Sequence, residues 1–413
     1  MAAQQGEGAV GRLAIALSLG HFLAFVDRFT LAALLPVIAP RLTLDDAATG
    51  LLLGPCFALP YATAALLLSR GSVWALGGGI ALWSASGAAM GFAGSFGELA
   101  AVRMGLGVGQ AAFIPAAMAV VAARPGRARA AGLAMFTMAS AFGRNVALVS
   151  AGGGLAALAW LGVAAAPYGW RLLCVVTILP NIVLLIVLFR WRAMVGETVA
   201  EHRSAAVPDA TPATGARTML LYLLAAMPVL AIQSLGAWLP TLMARQHGLE
   251  PAGAAMVGGI AMLIGSPLGQ GLGGVMMARW PQARGRGGAA LVILLALAIV
   301  PAVVAVGAGT VVAVAGITLA ATMLGMSAFA GLFMVQEEIA PARRARASGA
   351  FLTVITLVGI GIGPLAAGLA SGHNAGGIAG GLMIVMIAAA AAAFLLLAAS
   401  RTIARASLAR VGA

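Results

Sequence analysis

Long apolar segments, separated by short polar ones, make up almost the whole chain. A helix that spans a lipid bilayer needs about 20 consecutive and mostly apolar residues. Twelve segments meet this requirement, at about residues 13–39, 47–69, 74–94, 98–123, 130–158, 170–189, 218–244, 253–278, 288–307, 310–335, 347–369 and 376–399. The pattern therefore predicts an all-α polytopic membrane protein with twelve transmembrane helices.

One polar stretch is longer than all the others. It covers residues 190–217 and contains Pro208 and Pro212 among charged residues. Polar segments that contain proline are typical of linkers. We therefore predict a six-helix bundle over residues 1–189, a cytoplasmic linker over residues 190–217 and a second six-helix bundle over residues 218–413.

The composition excludes a water-soluble protein. Hydrophobic residues make up 62% of the 413 residues and charged residues only 8%, whereas soluble domains carry about 25% charged residues. A soluble fold of this size could not cover its surface with polar groups, and a disordered chain would need low hydrophobicity. The 56 glycines favour helices that pack closely through small side chains, as they do in membrane bundles.

The positive charge lies mainly in the short segments between the apolar ones. All 24 basic residues are arginines, and the net charge is +13. With the N-terminus inside, eighteen arginines fall in the termini and cytoplasmic loops, and three, Arg41, Arg171 and Arg245, fall at the outer loops. Cytoplasmic loops of membrane proteins carry an excess of basic residues. The sequence therefore predicts a multi-pass inner (plasma) membrane protein with both termini cytoplasmic, no cleaved signal peptide and no nucleic-acid partner.

The two halves of the chain share a short repeat. Residues 127–132 read RARAAG and residues 344–349 read RARASG, at an offset of 217. Each segment begins the fifth span of its half. Parallel repeats of six spans form the halves of one known transporter architecture, although a chain rich in arginine and alanine can also match itself by chance.

Three short motifs stand at defined places among the spans. The sequence GWR at 169–171 opens the sixth span, RxxxG at 103–107 lies in the fourth, and GIGP at 361–364 lies in the eleventh. These motifs resemble those of the major facilitator superfamily (MFS), and the resemblance covers essentially the whole chain. It implies twelve helices in two six-helix halves and transport by alternating access.

Within that superfamily, VDR at 26–28 is similar to the Asp-Arg pair of the spinster-like and organic anion symporter branches. The Gln336 to Pro341 segment with the RARA that follows it also resembles those branches. Two features depart from the family pattern. The loop between the second and third spans lacks the family's aspartate, and Gln110 stands where the symporter branch has a glutamate in RxxxGxxE.

Four charged residues lie within the predicted spans, all in the first half: Asp27, Arg28, Arg103 and Arg144. An ionisable group in mid-membrane costs about 2.5–3.5 kcal/mol and by default indicates function. Three arginines and one aspartate leave excess positive charge, which favours an anionic substrate, and the planar guanidinium suits a carboxylate or phosphate. We predict that the three arginines bind the substrate together with Gln110, which shares a helix face with Arg103.

Structural roles remain open for these residues from sequence alone. Asp27 and Arg28 could form an ion pair, and Arg103 could snorkel to the outer interface. Asp27 is the only carboxylate in the middle of a span, so it is the predicted proton carrier. His21 lies on the Arg28 face of the first span and is a second candidate for proton coupling, with a packed neutral histidine as the alternative.

The second half supplies uncharged candidates. Gln233, Trp238 and Ser327 lie within spans and are predicted to contact the substrate, with Ser327 at the repeat position of Gln110. Such residues also serve as contacts between helices in membrane bundles. The asymmetry predicts that the charged end of the substrate faces the first half and its apolar part faces the second.

Together these patterns predict a secondary active transporter that moves a small carboxylate-type organic anion by alternating access, with the proton as coupling ion. The alternatives are a spinster-like carrier of lysophospholipids or other amphiphilic anions, and a multidrug exporter, which the excess arginine disfavours. The chain has no HExxH motif or Gly-rich phosphate loop, so we expect no enzymatic activity, no cofactor and no metal site. We expect a monomer in the lipid bilayer.

Overall fold

The computed structural model describes residues 2–67, 73–122, 126–163, 169–191, 215–279, 286–338 and 350–411. These ranges are almost entirely helical and contain no β-strand. Helices suit such apolar sequence because a bilayer offers no water to the backbone, and an α-helix satisfies its N–H and C=O groups internally. The all-α prediction is confirmed for the described ranges.

Fifteen α-helices follow one another along the described chain. The first eight are α1 (Ala2–Arg41), α2 (Asp46–Leu53), α3 (Pro55–Leu67), α4 (Val73–Ala89), α5 (Phe96–Ala122), α6 (Gly126–Trp160), α7 (Gly169–Val176) and α8 (Ile178–Arg190). The others are α9 (Ala216–His247), α10 (Pro251–Arg279), α11 (Gly287–Leu297), α12 (Ile299–Gly307), α13 (Thr310–Glu338), α14 (Gly363–Ser371) and α15 (Gly377–Val411). A 3₁₀ turn, Met90–Phe92, follows α4, and a π-helix, Ile355–Ile362, precedes α14.

The described helices account for every predicted span. Ten helical segments are long and apolar enough to cross a membrane, and α4 and α6 occupy the third and fifth predicted positions. The fold therefore has the twelve transmembrane positions that the hydrophobic pattern predicts. Most of the predicted linker and the RARASG segment lie outside the described residues.

Two predicted spans are interrupted rather than continuous. The second span divides at Gly54, which ends α2 with φ −108° and ψ −94°, and α3 starts at Pro55. Proline favours the first position of a helix because its missing N–H has no intrahelical partner there. In the eleventh span the π-helix ends just before Pro364, where the missing N–H removes one regular bond. Hydropathy does not detect such breaks, because it measures apolarity and not backbone hydrogen bonding.

The described residues form two compact units. The first comprises those within Met1–Leu44, Cys56–Asp209 and Pro251–Gly259, and the second those within Asp45–Pro55, Ala210–Glu250 and Ile260–Ala413. The start of the second span is therefore part of the second unit, and the start of the eighth span is part of the first. The boundary over residues 190–217 stays a prediction.

A polar cluster anchors the start of α2 within the second unit. Asp46 accepts hydrogen bonds from Arg245 Nη1, over 2.7 Å and 2.9 Å, and from Ser371 Oγ over 2.5 Å. Its neighbour Asp45 caps the helix by accepting from the Ala48 N–H over 2.7 Å. Together these bonds hold the first turn of α2 against α9 and α14.

Apolar side chains face outward, as expected for a surface that contacts lipid. Ile15, Val183 and Phe394 are 59%, 62% and 63% exposed. By contrast, the charged side chains of Asp27 and Arg28 are buried. This distribution is the reverse of that in soluble proteins, where charged residues are almost never fully buried unless they are paired.

Glycines allow close approach of helices, as the composition indicates. A Cβ atom at Gly109 of α5 would lie 2.7 Å from the Gly79 carbonyl oxygen of α4. In the second unit, a Cβ atom at Gly325 would lie 2.7 Å from the Ser266 carbonyl oxygen. These distances leave no room for a side chain, so both crossings depend on glycine.

Candidate functional site

The charged residues of the first unit lie along α1 and the helices packed against it. Asp27 and Arg28 are neighbours on α1, and successive residues on an α-helix point about 100° apart. Asp27 faces α8, whereas Arg28 faces α3 and α5. The two side chains therefore enter different surroundings.

Arg28 is 5% exposed and donates from both Nε and Nη2 to one acceptor, Gln110 Oε1, over 3.1 Å and 2.6 Å. The rings of Phe25 and Phe57 lie against its guanidinium, with centroids 4.3 Å and 4.0 Å from Cζ. A desolvated cation gains about 2 kcal/mol from such contacts. The positive charge is thus held by aromatic faces and a neutral amide.

Gln110 connects α5 to α1 and is completely buried. Its Nε2 donates to the Ala24 carbonyl oxygen over 2.6 Å, while its Oε1 accepts from Arg28. Because a carbonyl only accepts and a guanidinium only donates, this is the one amide orientation that satisfies both partners. The sequence placed Gln110 on the helix face of Arg103, and the structure adds its direct bond to Arg28.

Arg103 of α5 lies beside the same aromatic group. It is 2% exposed, and its Nη1 donates to the Arg28 carbonyl oxygen over 2.9 Å. Its Cζ lies 5.5 Å from the Phe57 centroid, so two guanidinium groups contact one ring. Snorkelling to the outer interface is therefore not observed, because the side chain is enclosed by α1 and α3.

Arg144 of α6 lies at the other end of an aromatic row on α1. It is 5% exposed, donates from Nε to Asn145 Oδ1 over 3.3 Å, and lies 6.0 Å from the Phe29 centroid. Phe29 stacks on Phe25, with centroids 6.3 Å apart, and Phe25 contacts Arg28. The row thus places Arg144 and Arg28 on one side of α1.

His21 is packed between aromatic rings. Its Nδ1 lies 2.7 Å from the Phe136 carbonyl oxygen, which only accepts, so Nδ1 carries a proton. Its ring stacks on Phe136 at 4.1 Å and meets Phe25 edge-on at 5.2 Å. This packing fits the alternative of a structural histidine, and its role in proton coupling stays a prediction.

Asp27 is 3% exposed and has an amide as its partner. Asn181 Nδ2 of α8 donates to Asp27 Oδ2 over 2.7 Å. A Cβ atom at Gly87 would lie 4.0 Å from Asp27 Oδ1 and 3.9 Å from Thr177 Oγ1, so α4 leaves room at this point. The possible ion pair between Asp27 and Arg28 is replaced by separate bonds to Asn181 and Gln110.

Two of the three candidates in the second unit bond to other helices of that unit. Trp238 Nε1 donates to the Pro364 carbonyl oxygen over 2.9 Å, and Ser327 Oγ donates to the Leu291 carbonyl oxygen over 2.8 Å. Both residues are completely buried, and Gln233 is 5% exposed. Substrate contact by these three residues stays a prediction.

The buried charges of the described residues all lie in the first unit and comprise three arginines and one aspartate. Within the described ranges, no three His, Cys, Asp or Glu side chains are close enough to hold a metal ion. The arrangement thus presents buried positive charge beside one buried carboxylate.

Comparison with known proteins identifies the family. The model of the Major Facilitator Superfamily matches residues 17–364. The chain belongs to this superfamily. It is thus a multi-pass membrane protein with the superfamily's transporter fold.

Solved structures of other MFS proteins have the same fold. Two structures of a bacterial homologue of the human lysosomal transporter Spinster are 20% and 22% identical to this chain, with TM-scores of 0.74 and 0.75. They cover 95% and 96% of this chain and 96% and 98% of their own. A D-xylose-proton symporter is 16% identical with a TM-score of 0.66, and it covers 93% of this chain and 96% of its own. A search of curated proteins found no matching relative.

Sequence reasoning missed two residues of the candidate site. Asn181 and Phe57 lie in apolar spans and contact Asp27 and Arg28. An asparagine in the apolar sixth span was a detectable signal, because an amide within a bilayer needs a partner. Phe57 gave no signal, since one phenylalanine among apolar residues is ordinary.

Proposed function

We propose that this chain is a secondary active transporter that moves a small organic anion of the carboxylate type by alternating access, coupled to protons. The observation that carries the proposal is the buried Arg28, whose two side-chain hydrogen bonds within the described ranges both go to the uncharged Gln110 Oε1. A charge without a counter-ion is expensive in a membrane interior. A bound anion would supply that counter-ion.

The geometry of Arg28 supports a planar anionic group. Gln110 occupies the Nε side of the guanidinium, while the Phe25 and Phe57 rings lie against the group. The end formed by Nη1 and Nη2 suits a carboxylate, which bonds to a guanidinium through two parallel hydrogen bonds. Arg103 and Arg144, buried nearby along α1, raise the positive potential at this end.

Asp27 supports coupling to protons. It is the one described carboxylate that is buried in the first unit, and its partner Asn181 can bond to either protonation state. An amide donates to a carboxylate and, after rotation, accepts from a carboxylic acid. Protonation of Asp27 would therefore change the hydrogen bond between α1 and α8. Such a local change can shift the equilibrium between two conformations of a transporter.

The proposal also covers the membrane in which the protein lies and its oligomeric state. The excess of arginine in alternate loops supports an inner (plasma) membrane protein with both termini cytoplasmic. We further propose a monomer that performs no enzymatic reaction. A second candidate is a carrier of amphiphilic anions such as lysophospholipids, which the aromatic row His21–Phe25–Phe29 beside the arginines favours.

A binding screen of the purified protein in detergent tests the proposal. The ligands are small carboxylates, sugar acids, phosphates, lysophospholipids and cationic drugs, and the readout is thermal stability. An anion at 100 times its Kd should stabilise the protein by about 2.7 kcal/mol. The Arg28→Gln variant should weaken anion binding by about 2–5 kcal/mol, because a buried charge partner is lost.

Arg171→Gln is the matched control, since this arginine is half-buried and bonds to the Gly91 carbonyl oxygen rather than to Gln110. Its affinity for anions should equal that of the wild type. Arg28→Lys keeps the charge without the planar fork and should bind anions at intermediate strength. Stabilisation by cationic drugs alone would overturn the proposal, and stabilisation by lysophospholipids alone would favour the second candidate.

A further inference from the structure

One end of the Arg28 guanidinium has no hydrogen-bond partner in the part of the chain that the structure describes. Of its five N–H groups, one on Nε and one on Nη2 bond to Gln110 Oε1. The other three have no hydrogen-bond partner among the described residues. They lie at the Nη1 and Nη2 end, where a carboxylate or phosphate can form two bonds at once.

Gln110, which bonds to the other side of the guanidinium, is neutral. It therefore leaves the charge of Arg28 available to a ligand. A carboxylate at the position of Gln110 Oε1 would cancel the Arg28 charge at bonding distance. The amide satisfies the same two donors and leaves the full positive charge for a ligand at the other end.

A second positive charge lies near the Arg28 guanidinium. Arg28 and Arg103 contact the same Phe57 ring, at 4.0 Å and 5.5 Å from its centroid. Arg28 and Arg103 thus place two positive charges beside one ring. A ligand with two negative charges would match these two positive charges.

We propose that Gln110 is a specificity-determining residue that makes this site prefer doubly charged over singly charged organic anions. The inference rests on the proposed function, because it assumes that the anion binds at Arg28. It goes further by naming the charge class of the substrate and the residue that sets it. Dicarboxylates and organic phosphates belong to this class, and monocarboxylates do not.

The test uses pairs of ligands that differ by one charge. Succinate and monomethyl succinate form one pair, and phthalate and monomethyl phthalate form another. Affinities of the purified protein are measured by isothermal calorimetry at about pH 7.5, where free carboxylic acids are ionised. We expect the wild type to bind the dianion of at least one pair about tenfold or more tightly than its monoester, since a unit charge inside a protein is worth several kcal/mol.

Two substitutions at the same position separate charge from hydrogen bonding. Gln110→Glu adds a carboxylate and loses the Nε2 bond to Ala24, and Gln110→Met loses both bonds without adding charge. The Glu variant should lower the ratio of dianion to monoanion affinity by about tenfold or more. The Met variant should keep the wild-type ratio, even if both affinities fall.

Each result has a defined meaning. If the wild type binds both members of every tested pair with equal affinity, the inference is wrong, but the proposed transport of an organic anion still stands. This comparison needs only the wild type, so it does not depend on the folding of any variant. An unchanged ratio in the Glu variant, or the same shift in the Met variant, would also overturn it. If the wild type binds no anion of either charge, the proposed function itself fails.

Discussion

The two units use their buried polar groups differently. In the first, Asp27, Arg28, Arg103 and Arg144 are all buried. In the second, the buried polar side chains of the described residues carry no charge and include Gln233, Ser234, Thr241, Ser266, Thr322, Ser327, Thr356, Ser371 and Ser400. Several of these hydroxyls, such as Ser234 Oγ to the Leu230 carbonyl oxygen, bond back to their own helix.

The difference shows what each kind of group costs in a membrane protein. A hydroxyl satisfies itself locally by bonding to a carbonyl one turn earlier, so it can be placed on many helices. A charge needs partners from several helices, and Arg28 takes them from α1, α3 and α5. Among the described residues, the buried charged groups lie in the first unit, where several helices supply such partners.

The largest effect is expected from Asp27, the one carboxylate in the charged group. Asp27→Asn keeps the shape of the side chain and its place beside Asn181 but cannot release a proton. In proteoliposomes, pH-driven accumulation of the anion should be abolished, while exchange of substrate across the membrane should continue.

Glu98→Gln is the matched control, because Glu98 is an exposed carboxylate that accepts the Gly94 N–H in the same unit. It should retain both accumulation and exchange. Unchanged pH-driven accumulation in the Asp27→Asn protein would refute the role of Asp27 as proton carrier.

A smaller effect is expected from Arg144, which lies at the far end of the aromatic row. Arg144→Ala removes one of the three buried positive charges and should weaken anion binding by about 1.5–3 kcal/mol, the range for a hydrogen bond to a charged group. The measurement is anion affinity in the binding screen, with Arg171→Ala for comparison. Full retention of affinity would make Arg144 a structural residue.

The smallest effect is expected in the neutral second unit. Trp238→Phe removes the Nε1 bond to the Pro364 carbonyl oxygen and should lower the free energy of unfolding by about 1 kcal/mol. Trp170→Phe is the comparison, since Trp170 Nε1 is buried and has no hydrogen-bond partner among the described residues. Equal losses in the two variants would show that the Trp238 bond contributes nothing beyond packing.

Much of the fold could be predicted from the sequence, because a helix that crosses the bilayer must be apolar over about 20 residues. Apolar segments of spanning length gave the positions of the helices, including α4 and α6. The breaks at Gly54 and before Pro364 were not predicted, since they depend on which backbone bonds form. The sequence also did not predict that the second span begins in the second unit and that the eighth span begins in the first unit.

The sequence identified the buried charges of the candidate site but few of their contacts, and the roles of these residues stay a prediction. The sequence identified Asp27, Arg28, Arg103 and Arg144, because a charge within an apolar segment is conspicuous. It could not say that Arg28 bonds to Gln110, 82 positions away.

By itself, the sequence determined that this protein is a helical membrane protein with positive charge buried in its first half. The reason is local, because hydropathy and charge are properties of each segment and the membrane responds to them directly. Only the tertiary structure decided that Asp27 pairs with Asn181 and that Arg28 pairs with Gln110. Those choices depend on which helices touch and on the direction in which each side chain leaves its helix, and both are set by packing across the whole unit.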